Sequence, residues 1–157
     1  MTGIDVAVER LRQHFAADLW NHVTNKIYYA IAYRNENRDK SGIIGEVWTA
    51  TDEYKEVHFD DRYNALCFFD TLNSPITNIN DTLQFVEMNV IFAVNLSIIY
   101  PSITSRRAES EVHRDVLVSA KKARGTFELI EIIPGLNAYG DLFTDNLKSY
   151  NMTPWHT

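Results

Sequence analysis

One cysteine, Cys67, is all the thiol chemistry the chain holds. A lone cysteine excludes an internal disulfide, and without a CxxC pair a redox or zinc-ribbon centre is excluded as well, so a reducing compartment is the natural setting. Cys67 sits in the apolar run Ala65-Leu66-Cys67-Phe68-Phe69, with no basic neighbour in sequence. It reads as a small buried hydrophobe and not as a nucleophile. Glycine and proline are sparse, at six and four residues, which excludes collagen-like and low-complexity classes. No apolar run is long enough to span a bilayer, because the most apolar window, residues 90–100, is short and interrupted by Asn95. The first dozen residues carry Asp5, Glu9, Arg10 and Arg12, unlike a secretion signal. The three Asn-x-Ser/Thr triplets, at Asn80, Asn95 and Asn151, then read as chance.

Positive charge is also short. The net charge of −6 argues against gripping a nucleic-acid backbone, which needs a basic face. It is compatible with a channel that DNA passes through, since an acidic lumen repels phosphate. No phosphate-binding glycine loop, HExxH, GxSxG or EF-hand loop occurs. The sequence thus predicts no cofactor.

What is present is an ordinary globular composition, 45% hydrophobic and 23% charged over 157 residues. That is enough chain for a single domain with its own core, with residues 136–157 as a C-terminal arm. Ile4, Val8, Leu11, Phe15 and Leu19 recur at steps of three and four, which predicts an amphipathic helix ending near residues 20–22. Residues 26–33 alternate Ile27, Tyr29, Ile31 and Tyr33 with Tyr28, Ala30 and Ala32, a strand pattern. With a second strand over residues 42–51 it predicts a hairpin around the polar loop 34–41. Residues 53–59 read as a short half-exposed strand, and residues 63–72 as either a buried strand or a short helix, with Tyr63, Cys67, Phe68 and Phe69 favouring the strand.

From 83 to 100 the period is two: Val86, Met88, Val90, Phe92, Val94, Leu96 and Ile98 share one face. This predicts one unusually long strand with a dry side and a wet side, stopped by Pro101. A second helix follows over residues 105–123, with Ala108, Val112, Val116, Ser119, Ala120 and Ala123 inward. Gly125 closes it, and Lys121, Lys122 and Arg124 suit its negative end. Residues 126–133 read as a final strand. The expected fold class is α+β: a mostly antiparallel sheet with one long strand, flanked by two amphipathic helices.

Chemistry-bearing groups are scattered. Glu109 and His113 stand one helical turn apart, a spacing metal ligands use, but no third ligand accompanies them and an exposed charged face explains them. No metal site is expected. Glu56, His58, Asp60 and Asp61 form the densest acid-base group, without a positioned nucleophile. Aromatic residues concentrate in the first hairpin, on both of its faces. Tyr28, Tyr29, Tyr33, Trp48 and Tyr54, joined by Trp155 of the arm, are candidate interface residues. Burial between layers of the same chain is the alternative for them.

The order helix (residues 4–19), hairpin (26–51), long strand (83–100), helix (105–123) resembles the core of tail-terminator and neck proteins, the head–tail connectors of tailed bacteriophages. Strand material between residues 53 and 72 and the long final arm depart from that pattern, and no functional residue carries over by position. The resemblance implies a structural virion protein and not an enzyme. It would form a homo-oligomeric ring that touches neighbouring virion proteins and passes DNA without holding it. Assembly would take place in the host cytoplasm, with no membrane involved. Two readings from other classes stand beside it. One is a small-ligand-binding module with a pocket lined by Tyr28, Trp48, Phe68 and Phe92. The other is an acid-base enzyme centred on His58, working with Glu56 or Asp60.

Overall fold

The computed structural model describes residues 3–37, 42–48, 54–57, 62–70, 77–80, 83–103, 107–123 and 155–156. The first helix, α1, covers Gly3–Asp18 and buries Val8, Leu11 and Phe15, three of the residues its periodicity singles out. Leu19, just past its end, is buried too. Trp20 then turns the chain with φ 48°, the left-handed conformation that ends many helices and that glycine usually takes. A bulky residue there costs about 1 kcal/mol or more of backbone strain. Burial of the indole, 4% exposed and edge-on to Phe92, offsets that cost. The Lys26 ammonium donates to the carbonyls of Leu19 and Trp20, groups a helix end leaves without backbone partners.

Strand β1, Lys26–Asn37, is the longest among the described residues and changes partner midway. Its first half runs parallel to β4, Ala65–Asp70, from Lys26↔Ala65 to Ile31↔Phe69. Its second half pairs antiparallel with β2, Gly42–Trp48, from Ala32↔Val47 to Asn37↔Gly42. Strand β3, Tyr54–Glu56, adds antiparallel to β2. On the far side of β4 lies β7, Asn89–Asn95, antiparallel, and beyond it β8, Trp155–His156. β1, β4, β7 and β8 thus make a four-stranded mixed sheet, and β1 carries β2 and β3 onward as a ribbon. The whole order is β3-β2-β1-β4-β7-β8. Two further strands, β5 (Thr77–Asn80) and β6 (Leu83–Phe85), pair with each other and, among the described residues, with no other strand.

Two expectations need correction. The sheet is mixed, not mostly antiparallel, because the chain leaves β1 through β2 and β3 and re-enters on the other side of β1 from the same end. The Asn64 amide donates to the Asn25 carbonyl, and the Asn95 amide to that of Asn64, so β1, β4 and β7 are aligned at that end. The single long strand is also absent. Residues 83–100 divide into β6, the unpaired residues 86–88, β7 and a single helical turn, α2 (Leu96–Ile99). Met88, Val90, Phe92 and Val94 do share the face that meets the helices. The alternation beyond them runs into segments whose backbone is not in this sheet.

The second long helix, α3, covers Arg107–Lys122. Ala108, Ser119 and Ala120 are buried, and Val112, Val116 and Ala123 pack against the core, so its expected inner face is the observed one. All three helices contribute to a first core cluster with Tyr28, Ile31, Cys67, Phe69 and Val94. A second cluster lies on the other face of the sheet: Ala32, Val47, Val57, Leu66, Phe68, Ile91 and Ala93. Among the described residues, none of a helix belongs to it. β4 is therefore buried along its whole length, as a central strand covered on both faces must be. The helical elements, the mixed sheet and the two clusters make an α+β fold. The expected strand 126–133 lies outside the described residues. So do the tip of the first hairpin and the arm up to its last strand.

Phe68 is fully buried in the second cluster. Phe68→Ala should lower the unfolding free energy by about 3–5 kcal/mol in chemical denaturation. A loss under about 1 kcal/mol would show that this face of the sheet is not a packed core.

Candidate functional site

The densest polar arrangement among the described residues lies where the end of α1, the segment after α2 and the outer side of α3 converge. An open groove of about 270 Å³ runs there, lined by Asp18, Leu19, Trp20, Asn21, His22, Asp115, Val118 and Lys122. Of its lining residues, Trp20 donates through Nε1 to Tyr100 Oη at 3.0 Å, and Asp115 accepts through Oδ2 from the same hydroxyl. Burial and then the Asp115 hydrogen bond push the Tyr100 phenol above its ordinary range, so it stays protonated and donating. Three segments far apart in sequence are joined by this relay.

Two histidines add ties of the same kind. His22 Nε2 lies 2.9 Å from the Ile99 carbonyl, and His14 Nε2 2.9 Å from that of Ser119. A carbonyl only accepts, so each ring carries its proton on Nε2. At the groove's edge Lys122 Nζ donates to both carboxylate oxygens of Asp18, at 2.9 and 3.1 Å. The hydrogen bonds from Lys122 hold the Asp18 carboxyl below its ordinary 3.8. Arg114, also on α3, is paired with Glu111 and Asp115. The cations and carboxylates of the groove are thus largely spent on one another. It has the polarity of a clasp between elements and not the convergent free groups of a catalytic centre.

A second cluster sits under α1. Arg12 donates to Glu9 and to the Tyr28 carbonyl, pinning helix to strand. The Tyr28 hydroxyl is buried with no hydrogen-bond partner, and burial pushes its pKa up. Cys67, fully buried, is likewise pushed up by desolvation and stays a thiol. That matches the inert role its sequence surroundings suggest.

The six candidate interface residues are dispersed by the fold. Tyr28 is buried in the first cluster, Tyr29 packs half-buried against the second, and Tyr33 is 48% exposed. Trp48 is paired with Tyr54 at the β2–β3 edge, and Trp155 with Asn95 at the β7–β8 edge; their side chains lie outside the described set. Tyr28 and Phe92 belong to the first cluster and Phe68 to the second, so the sheet separates residues expected to line one pocket. Glu109 is exposed and His113 half-buried. Among the described residues no three His, Cys, Asp or Glu are placed to hold a metal ion, and no helix is long and apolar enough to cross a membrane. His58, Asp60 and Asp61 lie outside the described residues, and of Glu56 only its place in β3 is described. The Trp20–Tyr100–Asp115 relay had no signal in the sequence, since its partners are 80 and 15 residues apart.

The lowered Asp18 pKa predicts a pH dependence. A carboxyl whose folded pKa lies below its unfolded value contributes stability that is present above the unfolded value and lost as the pH falls through the folded one. Asp18→Asn should therefore flatten the stability profile below its ordinary 3.8 and leave it unchanged in shape near neutrality, as urea midpoints across the acid range would show. The pair is largely solvent-exposed, so the amplitude should be small. No protein-family model matches the chain, and no curated protein or solved structure shows detectable similarity to it.

Proposed function

We propose that this chain is a structural subunit that assembles with copies of itself into a ring, in the manner of the tail-terminator and neck proteins of tailed bacteriophages. The observation that carries this reading is the overhang of the first hairpin. Beyond Ile31↔Phe69, residues 32–37 of β1 pair, among the described residues, with β2 alone. At about 3.3 Å per residue, that half-strand is about 20 Å long. A ribbon of two or three strands is marginal by itself and gains stability when another layer covers it. Its base is anchored, since Ala32 and Val47 are buried, while Tyr33 leaves the sheet half exposed. A neighbouring copy is the layer that this reading supplies.

The broken strand takes one element away from the resemblance. The two amphipathic helices and the hairpin remain, and the assembly reading rests on the hairpin. The net charge of −6 suits a lumen that lets DNA pass. A virion location and contacts with neighbouring virion proteins belong to the same proposal. The groove at the end of α1 supports no ligand reading, because its charged groups are already paired.

Sedimentation velocity over a wide concentration range tests the proposal. The expected result is a species several times 18.1 kDa that grows with concentration and appears as rings in negative stain. Tyr33→Asp should weaken assembly at least about tenfold, as loss of an aromatic anchor does, while thermal unfolding of the monomer changes little. An 18.1 kDa monomer throughout, with no rings in native particles, overturns the reading.

A further inference from the structure

The alternation of residues 27–33 predicts that Ile27, Tyr29, Ile31 and Tyr33 share one face, and the structure divides that set. Ile27 and Tyr29 pack against the second cluster, on the side of the sheet away from the helices. Ile31 belongs to the first cluster, together with Tyr28, on the helix side. Two residues three apart cannot share a face of a regular strand, because its period is two. The pairing shows where the phase changes. From Tyr28↔Cys67 to Ile31↔Phe69, β1 advances three residues while β4 advances two. One residue at positions 29–30 is therefore extra, and β1 carries a β-bulge there, a feature rare between parallel strands.

The bulge lies at the joint of the fold. Ile31 is the last residue of β1 paired with β4, and Ala32 is the first paired with β2. A bulge bends its strand and raises the local twist, and it often marks the place where pairing ends. Past it the alternation is displaced by one. Ala32 enters the second cluster, and Tyr33 falls on the opposite side, 48% exposed. Without the displacement Tyr33 would lie on the second-cluster side with Ile27 and Tyr29.

A group from another element holds the bulge at its start. Arg12 of α1 donates through Nη1 to the carbonyl of Tyr28 at 3.0 Å. Tyr28 is the last residue of β1 in step with β4 before the extra one. Glu9 fixes the same guanidinium with a fork, accepting from Nε at 2.8 Å and Nη2 at 2.6 Å. Forked, charge-assisted bonds of this kind fix direction as well as position.

We propose that Arg12 is a positioning residue: by clamping the bulge it sets the direction of the ribbon and turns Tyr33 toward a second copy. The part played by the second copy rests on the assembly reading. The clamp does not.

Spin labels on Ala17→Cys of α1 and Lys55→Cys of β3, both at exposed positions, read the direction of the ribbon by electron–electron dipolar spectroscopy on the dilute protein. Cys67 is buried and escapes labelling. Arg12→Met keeps the apolar stem and removes every donor. It should move or split the distance by at least about 5 Å, one strand spacing, and weaken assembly at least about tenfold. Arg12→Lys keeps one donor for the Tyr28 carbonyl and should return about half of the molecules or more to the original distance. Deletion of Ala30 is the second variant, should Arg12→Met not fold. It removes the extra residue and leaves Tyr28, Ile31 and Ala32 on their present faces, so the chain should fold, with a shifted distance and the same loss of assembly. An unchanged distance in both variants overturns the clamp. A moved distance with assembly unchanged overturns the positioning role. An unsubstituted protein that stays at 18.1 kDa at every concentration overturns the ring reading, and the distances alone then judge the clamp.

Discussion

Strand β4 is the constraint from which the rest of the architecture follows. All six of its residues are buried, with Leu66 and Phe68 facing one way and Cys67 and Phe69 the other. Its backbone groups need a strand on each side, and its side chains need a layer on each face. β1 and β7 meet the first demand. α1 and α3 meet half of the second, with Phe15, Leu11, Val116 and Ala120 on the helix-facing cluster. On the opposite face the apolar residues of the ribbon, Ala32, Val47 and Val57, join Leu66, Phe68, Ile91 and Ala93. This explains why the first hairpin is apolar on both of its faces near its base. One face of β1 belongs to each core.

Much of this was legible from residue spacing, and the exceptions share a cause. The helices announce themselves because their inner faces repeat within a single element: Val8, Leu11 and Phe15 on α1, Ala108, Val112, Val116 and Ala120 on α3. β4 reads as buried because five apolar residues stand in a row. The parallel pairing of β1 with β4 leaves no such mark. It depends on which side of β1 the chain returns to after β2 and β3, a choice made by two loops and not by any periodicity. The break in residues 83–100 was hidden for the opposite reason. Their alternation is too regular, and period two describes the side chains without saying how far the backbone stays in one sheet.

The candidate site was legible only in part. Tyr28 and Tyr29 were read as candidate interface residues, with burial inside the chain as the alternative, and the fold buries Tyr28 and half-buries Tyr29. Tyr33 alone of the three keeps a large exposed surface. The polar ties at the end of α1 could not be foreseen. Trp20, Tyr100 and Asp115 are ordinary in composition and meet only because α1 ends in a left-handed turn that brings Trp20 back over β7. That turn is itself unusual, with tryptophan where glycine is common. The residue is explained by what its ring touches, Phe92 and the Tyr100 hydroxyl, and not by its backbone.

Polar ties and apolar packing divide the work here in a way that bears on how α2 is held. Apolar burial is non-directional, so two adjacent isoleucines offer the core nearly the same free energy as a helical turn or as a strand. Hydrogen bonds are directional and discriminate between the two. If α2 were held by packing alone, it would need a side chain that only the helical turn could bury, and Ile98 beside Ile99 denies it one. The turn is held by the Ser97 hydroxyl donating to Asn95 Oδ1 and by Trp20, His22 and Asp115, which reach across from other elements. Such bonds are worth about 1 kcal/mol apiece.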